Sequence, residues 1–286
     1  MTTAAVDRAA VGVGAPDGLT PASSDRLTAP SFIWQLLVEP DGRPGCENMA
    51  LDQGLLDAAD QAAAAALRLY RWEPPCLSLG RNEATRRYDR TRIERSGIDV
   101  VRRPTGGSAV WHEHEVTYAV AAPVAAFGSP RAAYRGIHER LAAALRSLGA
   151  AATLAPDRLT ARPPDRPGPC FSRPAGGEVL VGGRKVIGSA QVRQGRAFLQ
   201  HGSILLAGSQ EMIEAVSRQP SAIRHQTSDV RTATTLSAAL GRSVTFEEVA
   251  NAIMSTWGDG FSSTAPYRPL PSLTALFSDP AWTWRR

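Results

Sequence analysis

The sequence predicts an α+β (α/β) fold on three observations: short apolar runs of strand length, two long amphipathic helices set among them, and glycine pairs that punctuate the strand blocks. Phe32 to Val38 reads as a strand followed by a turn-rich Glu39 to Gly45. A helix starts at about Asn48, placed as N-cap, with Leu51, Leu55, Leu56 and Ala59 on one face. Leu67 to Arg71 and Cys76 to Gly80 are short strands separated by Glu73-Pro74-Pro75. Ile98 to Arg102, Ser108 to Trp111 and Val116 to Ala121 add further strands. Arg131 to Leu148 is the second long helix, carrying Ile137, Leu141, Leu145 and Leu148. Glu178 to Val181, Lys185 to Gln191 and Ala197 to Ile204 form a later strand-rich block.

Beyond Leu206, Glu211 to Val216, Thr235 to Leu240 and Phe246 to Trp257 read as helices with apolar faces to bury. The expected organisation is a disordered leader over 1–30, a main domain over 31–206, and a small helical appendage over 207–286 packed on it. Ala155 to Pro169 holds Pro156, Pro163, Pro164, Pro167 and Pro169. It reads as an exposed loop that delivers the chain to Cys170.

Composition excludes several classes of function. At 286 residues, 43% apolar and 21% charged, the chain is long enough for a sizeable core and too balanced for a collagen, a coiled coil or a disordered tail. Its longest apolar runs fall short of the roughly 20 residues a membrane helix needs, and the first residues lack the basic start and apolar stretch of a secretory signal. Three cysteines, Cys46, Cys76 and Cys170, make neither a disulfide framework nor a C-x-x-C pair, which points to a reducing cytoplasm. The net charge of +5 suits a solvated surface and calls for neither nucleic acid nor membrane. No exposed apolar heptad stands out, so a monomer is expected.

The basic residues are uneven: Lys185 is the one lysine among 32 Lys+Arg. A composition that makes arginine the default cation should convert any lysine needed only for charge. Lys185 therefore reads as a residue doing what a guanidinium cannot, since an ammonium can give up its proton within reach of neutral pH.

Three segments carry candidate chemistry. In Arg103-Pro104-Thr105-Gly106-Gly107-Ser108-Ala109-Val110-Trp111-His112, paired glycines between strands expose backbone N–H groups to a ligand, although most such pairs are plain hairpin turns. His112 and His114 alternate on a strand and would face one side. No further Cys or His cluster supplies the remaining ligands, so no metal is expected. In Gly182-Gly183-Arg184-Lys185-Val186-Ile187-Gly188-Ser189-Ala190, a turn positions the lysine, with Ile187 on the same face and Gly188 allowing close approach. His201-Gly202-Ser203 ends a strand that could wall the same slot.

Taken in order, Asn48-Met49-Ala50-Leu51-Asp52, Leu77-Ser78-Leu79-Gly80-Arg81, Arg103-Pro104-Thr105-Gly106-Gly107, Gly183-Arg184-Lys185 through Gly188-Ser189-Ala190, and His201-Gly202-Ser203 resemble the successive landmarks of the family of lipoate-protein ligases, biotin-protein ligases and lipoyl-pathway octanoyltransferases. They cover most of Phe32 to Leu206. Cys170-Phe171 ahead of Glu178, with His112-Glu113-His114-Glu115-Val116-Thr117-Tyr118, is similar to the cysteine-dependent octanoyltransferase branch. Ala175-Gly176-Gly177 and Ser108 depart from that branch's pattern.

The resemblance implies a lipoate/biotin protein ligase-like domain, a mixed β-sheet flanked by helices. It implies that Cys170 takes the octanoyl group of octanoyl-acyl carrier protein as a thioester and passes it to a lysine of apo lipoyl domains or the glycine cleavage H protein, with Lys185 as the catalytic partner. No cofactor is implied, because thioester exchange and amide formation need no nucleotide. Arg103, Thr105, Gly106, Gly107, Val110, His112, Ile187, Gly188, Ser189, Ala190, His201 and Gly202 are the implied acyl-binding residues. Two alternatives stand beside this reading: an ATP-dependent lipoate-protein ligase on the same scaffold, and a non-catalytic acyl- or carrier-binding protein.

Overall fold

A computed structural model describes residues 32–156, 171, 176–218, 233–258, 260–263 and 267–286. The leader, Cys170 and most of the proline-rich loop lie outside these described residues. The twelve strands described are β1 (Trp34–Arg43), β2 (Ala65–Trp72), β3 (Cys76–Leu79), β4 (Asp99–Arg102), β5 (Val110–His112), β6 (Glu115–Pro123), β7 (Ala152–Leu154), β8 (Val179–Val181), β9 (Arg184–Lys185), β10 (Ile187–Gln194), β11 (Ala197–Leu205) and β12 (Phe261–Ser263). The helices used below are α1 (Gly45–Ala62), α2 (Arg90–Arg95), α3 (Pro130–Ser147), α4 (Glu211–Ala215), α5 (Leu236–Leu240), α6 (Phe246–Trp257), α7 (Pro271–Ser278) and α8 (Pro280–Thr283).

The six-stranded sheet runs β10-β11-β6-β2-β1-β12 and is mixed, parallel across β12-β1-β2 and antiparallel across β2-β6-β11-β10. Two three-stranded sheets, β4-β3-β5 and β7-β8-β9, accompany it.

The period of two along β6 sorts the core into layers. Val116, Tyr118, Val120 and Ala122 face one cluster, which takes Ile137, Leu141 and Leu145 from α3 and Phe246, Val249 and Ile253 from α6. Ala119 and Ala121 face the other, which takes Met49, Leu55, Leu56 and Ala59 from α1 and Phe277 from α7. Alanine on that second face is what lets α1 lie close to the sheet. Residues 207–286 thus supply helices to both layers, and β12 extends the sheet edge beside β1.

Local chemistry explains where the elements begin and end. Ser129 caps α3 by accepting from the Ala132 N–H, ahead of Pro130 in the first turn. Thr245 and Glu248 form a reciprocal capping box on α6.

Several sequence expectations are corrected. Asn48 is not an N-cap: α1 starts at Gly45 after Pro44, and the Asn48 amide instead donates to the carbonyls of Arg43 and Arg71. Glu39 to Gly45 is not a turn, because β1 continues through Arg43 across a register shift opposite β2. Gly106-Gly107 does not close a hairpin, since β4 and β5 both pair with β3 rather than with each other. Gly182-Gly183 does close one, joining β8 to β9 with both glycines at positive φ, as the primed two-residue turns require.

Ile253, fully buried between α3 and the sheet, tests whether the late helices belong to this core. Ile253→Ala is expected to cost about 2–5 kcal/mol of stability while unfolding remains a single transition. Urea denaturation followed at two optical probes measures both.

Candidate functional site

Strands β2, β5, β6, β10 and β11, helix α1 and the Gly-rich turn after β4 converge on a small cleft. Met49, Tyr70, Trp72 and Val110 give it apolar walls, and Arg103, His112, Ser189 and His201 bring polar atoms to it. Gly188, Ala190 and Gly202 line it as well. A Cβ on Gly202 would collide with the Gly188 carbonyl, so that glycine is required by the close pairing of β10 with β11.

The cleft rests on a buried charge network. Arg68, between two leucines of β2, is wholly buried and donates to Asp52 Oδ1 at 2.9 Å, to Asn48 Oδ1 at 2.6 Å and to Glu39. Asp52 also accepts from the Tyr70 hydroxyl at 2.9 Å and from His201 Nδ1 at 2.7 Å. Burial pushes the Asp52 carboxyl toward neutrality, but the His201 hydrogen bond and the Arg68 charge outweigh it and hold its pKa below the usual value. Burial lowers the pKa of His201 against the pull of Asp52. A neutral imidazole then donates from Nδ1 to Asp52 and accepts at Nε2 from the Thr105 hydroxyl, 2.6 Å away. One carboxylate therefore ties α1, β2, β11 and the Gly-rich turn into a single unit.

The Gly-rich turn is closed by its own arginine. Arg103 donates to the carbonyls of Gly106 at 2.8 Å and Ser108 at 2.7 Å, and reaches the Ser78 carbonyl and hydroxyl at 3.1 Å. Gly80 must be glycine because the Gly107 carbonyl lies where its Cβ would stand. His112 stacks on Trp72 with ring centroids 4.0 Å apart, its Nδ1 facing Glu115 Oε1 at 2.8 Å and its Nε2 meeting the Ser78 hydroxyl at 2.7 Å.

At the other end, Lys185 is buried and donates to Glu178 Oε1 at 2.7 Å. Its ammonium stands 5.3 Å from the centre of the Phe171 ring, within cation–π range. Phe171 packs with Val110 and Leu205 and lies directly over Gly188, where an added Cβ would meet the ring at 2.8 Å.

Of the residues singled out in the sequence, Arg103, Val110, His112, Gly188, Ser189, Ala190, His201 and Gly202 line this cleft. Thr105 touches it through His201, and Gly106 through Arg103. Ile187 does not share a face with Lys185: β9 ends at Lys185, β10 starts at Ile187, and the Ile187 side chain packs in the core cluster of α3. His112 and His114 also part company, because β5 ends at His112 and leaves His114 exposed in the connection to β6. Among the described residues no group of three or more His, Cys, Asp or Glu could hold a metal.

Sequence reasoning missed Arg68, Glu178 and His138 as parts of the site. Arg68 was detectable as a charge set between Leu67 and Leu69 inside a strand, and His138 as a lone histidine beside Ile137 and three residues before Leu141 on the buried face of α3. His138 is buried, and desolvation lowers its pKa to about 4.

The family model described as the lipoyl protein ligase A/B catalytic domain matches residues 44–258. The chain is 39% identical over 198 residues to Octanoyltransferase LipM of Moorella thermoacetica, covering 67% of this chain and 72% of the relative. It is 34% identical over 276 residues to Octanoyltransferase LipM of Exiguobacterium sibiricum, covering 88% of this chain and 99% of the relative. Among solved structures, a lipoate-protein ligase A bound with ATP superimposes with a TM-score of 0.69 at 22% identity, covering 87% of this chain and 98% of that one. A putative lipoate protein ligase from T. acidophilum with bound lipoic acid gives 0.68 at 19% identity, covering 90% and 100%. These two likenesses are of fold.

Removing Arg68 leaves the buried Asp52 without its cation, while Glu39 keeps Arg43. Arg68→Met is expected to lower stability by about 3–5 kcal/mol, measured as the loss in urea midpoint. A second expectation concerns pH. His138 titrates at about 4 in the fold and near 6.5 unfolded, so the unfolded chain binds the extra proton between those values. Stability is full above about pH 6.5 and is lost as pH falls toward 4, by up to about 1.4 kcal/mol per pH unit for each such histidine. Replacing His138 by Gln should flatten that slope in urea titrations run from pH 7 to 4.

Proposed function

The chain belongs to the lipoyl protein ligase A/B catalytic-domain family and, within it, to the octanoyltransferases; from that premise we propose that it moves the octanoyl group from octanoyl-acyl carrier protein to a lipoyl-domain lysine through a thioester on Cys170. The observation that carries this reading is the buried Lys185–Glu178 pair beside Phe171, the residue joined by a peptide bond to Cys170. Phe171, which Cys170 precedes in the sequence, packs over Gly188 of the cleft wall and beside the lysine.

The other cysteines support the assignment by their surroundings. Cys76 is buried, and desolvation raises its thiol pKa well above the ordinary range, which keeps it an inert thiol. Cys46 sits in the first turn of α1, packed against the cluster of α1 and α7, and does not line the cleft.

The chemistry then runs in two exchanges. A thiol with an ordinary pKa is a few per cent thiolate at neutral pH, and a neighbouring ammonium raises that fraction. The Cys170 thiolate attacks the octanoyl carbonyl, the carbon–sulfur bond to the carrier breaks, and the carrier leaves as a thiol with the proton that the Lys185 ammonium gives up. The acceptor lysine attacks the resulting S-octanoyl enzyme as a neutral amine, the Cys170–carbonyl bond breaks, and an amide forms. Lys185, left neutral by the first exchange, takes the amine's proton and Cys170 returns to the thiolate, a cycle closed to a guanidinium that stays protonated. Met49, Tyr70, Trp72 and Val110 give the acyl chain an apolar wall, and its shape is fixed where Arg103 and His112 share the Ser78 hydroxyl and His201 meets Thr105 of the Gly-rich turn. This reading makes the enzyme a cytoplasmic monomer that uses no nucleotide and takes apo lipoyl domains or the glycine cleavage H protein as acceptor.

Incubation with octanoyl-acyl carrier protein alone is expected to add one octanoyl group to the intact protein, cleavable by hydroxylamine and discharged by an apo lipoyl domain; Cys170→Ala should gain none and lose at least 1,000-fold in transfer, on the order of what covalent catalysis contributes. A transfer that persists in Cys170→Ala, or that requires ATP, would overturn the assignment.

A further inference from the structure

One buried hydrogen-bond chain outside the catalytic pair has a single possible direction. The Gly177 carbonyl can only accept, so His138 Nδ1, 2.8 Å away, carries the imidazole proton. Burial keeps the ring neutral, with a pKa of about 4, which leaves Nε2 an acceptor. Ser189 Oγ stands 2.8 Å from Nε2 and must donate to it. Ser189 in turn accepts from the Tyr118 hydroxyl at 2.6 Å, and Tyr118 accepts from the Gln200 amide at 3.0 Å. Tyr118 also lies 3.4 Å from His138 Nε2, a longer contact than the Ser189 bond.

The two ends of this chain matter to the site. Ser189 is in the cleft wall. Gly177 precedes Glu178, whose carboxylate holds the Lys185 ammonium. Gly177 has φ +80, and its N–H donates to the Ala155 carbonyl while the Ala155 N–H donates to the Glu178 carbonyl. Its peptide is therefore pinned on both sides, by the strand edge and by the imidazole. Tyr134 stacks edge-on against the His138 ring, with centroids 4.3 Å apart, and fixes its plane.

We propose that His138 is a positioning residue of the transferase site: through the Gly177 carbonyl it sets where Glu178 holds Lys185, and through Ser189 it couples that setting to the wall of the acyl cleft. This deepens the reading of the same site given above and rests on it for its importance to turnover, though not for its geometry.

The two halves of the imidazole can be separated. Asparagine places its amide N–H close to the position of Nδ1, and glutamine places its amide close to the position of Nε2. His138→Asn thus keeps the tie to Gly177, and His138→Gln keeps the tie to Ser189. Because Lys185 is the chain's one lysine, lysine labelled at the ε-carbon and nitrogen gives one side-chain amine signal, read in the full-length protein at fixed pH.

His138→Gln is expected to move that signal by more than its linewidth. It should also lower kcat for octanoyl transfer at least tenfold, with the KM for the lipoyl domain within twofold. His138→Asn should leave the signal within its linewidth and retain more kcat than the Gln variant. Equal displacement of the signal in both variants would mean that His138 only fills space, and an undisplaced signal in His138→Gln would break the link to Lys185; either result overturns the proposal. The magnetic measurement involves no acyl group, so failure of Cys170 to form a thioester would show separately, in the mass of the wild-type protein.

Discussion

A buried guanidinium holds the cleft open. Arg68 sits where β2 would otherwise present another aliphatic side chain, and its charge is compensated by Asp52 and Glu39 inside a region with little water. Removing charge from water is expensive, and the cost is recovered only when geometry is good and every remaining hydrogen bond is made. Here Asn48, Tyr70 and His201 complete the set. Because His201 passes on to Thr105, the position of the Gly-rich turn follows from the position of Arg68. The apolar clusters on either side of the sheet give the domain its stability; this polar core decides which loops meet.

The same logic separates two kinds of glycine. Gly80 and Gly202 are required because another backbone carbonyl occupies their Cβ space, which allows strands and turn to close on each other. Gly182 and Gly183 are required for their left-handed backbone, which turns β8 into β9 and delivers Lys185. Both kinds border the cleft or its lysine, so the substitutions they forbid are forbidden for reasons of packing and dihedral angle before any chemistry is considered.

Much of the site was legible because its residues carry unusual types at unusual places: a solitary lysine after a glycine pair, an arginine opening a Gly-rich turn, a histidine ahead of a small residue. The long helices were legible from their apolar period, and α3 falls within one residue of its expected limits. What escaped was information held by partners distant in sequence. The amide of Asn48 looked like a cap because the carbonyls of Arg43 and Arg71 that it serves become neighbours only in the sheet. The continuation of β1 through Asp41-Gly42-Arg43 ran against local turn chemistry and was decided by pairing with Trp72. His138 was hidden by its own helix, whose amphipathic pattern accounts for a buried position without asking what the imidazole touches.

The burial of Lys185 has one more consequence. An octanoyltransferase is exposed to activated acyl groups, and every surface lysine of its own would be a target for them. Here the outside is furnished with arginine, whose guanidinium keeps its proton and does not attack a thioester. The single side-chain amine is kept inside, paired with Glu178. A chain furnished this way offers an activated acyl group few amines of its own to modify.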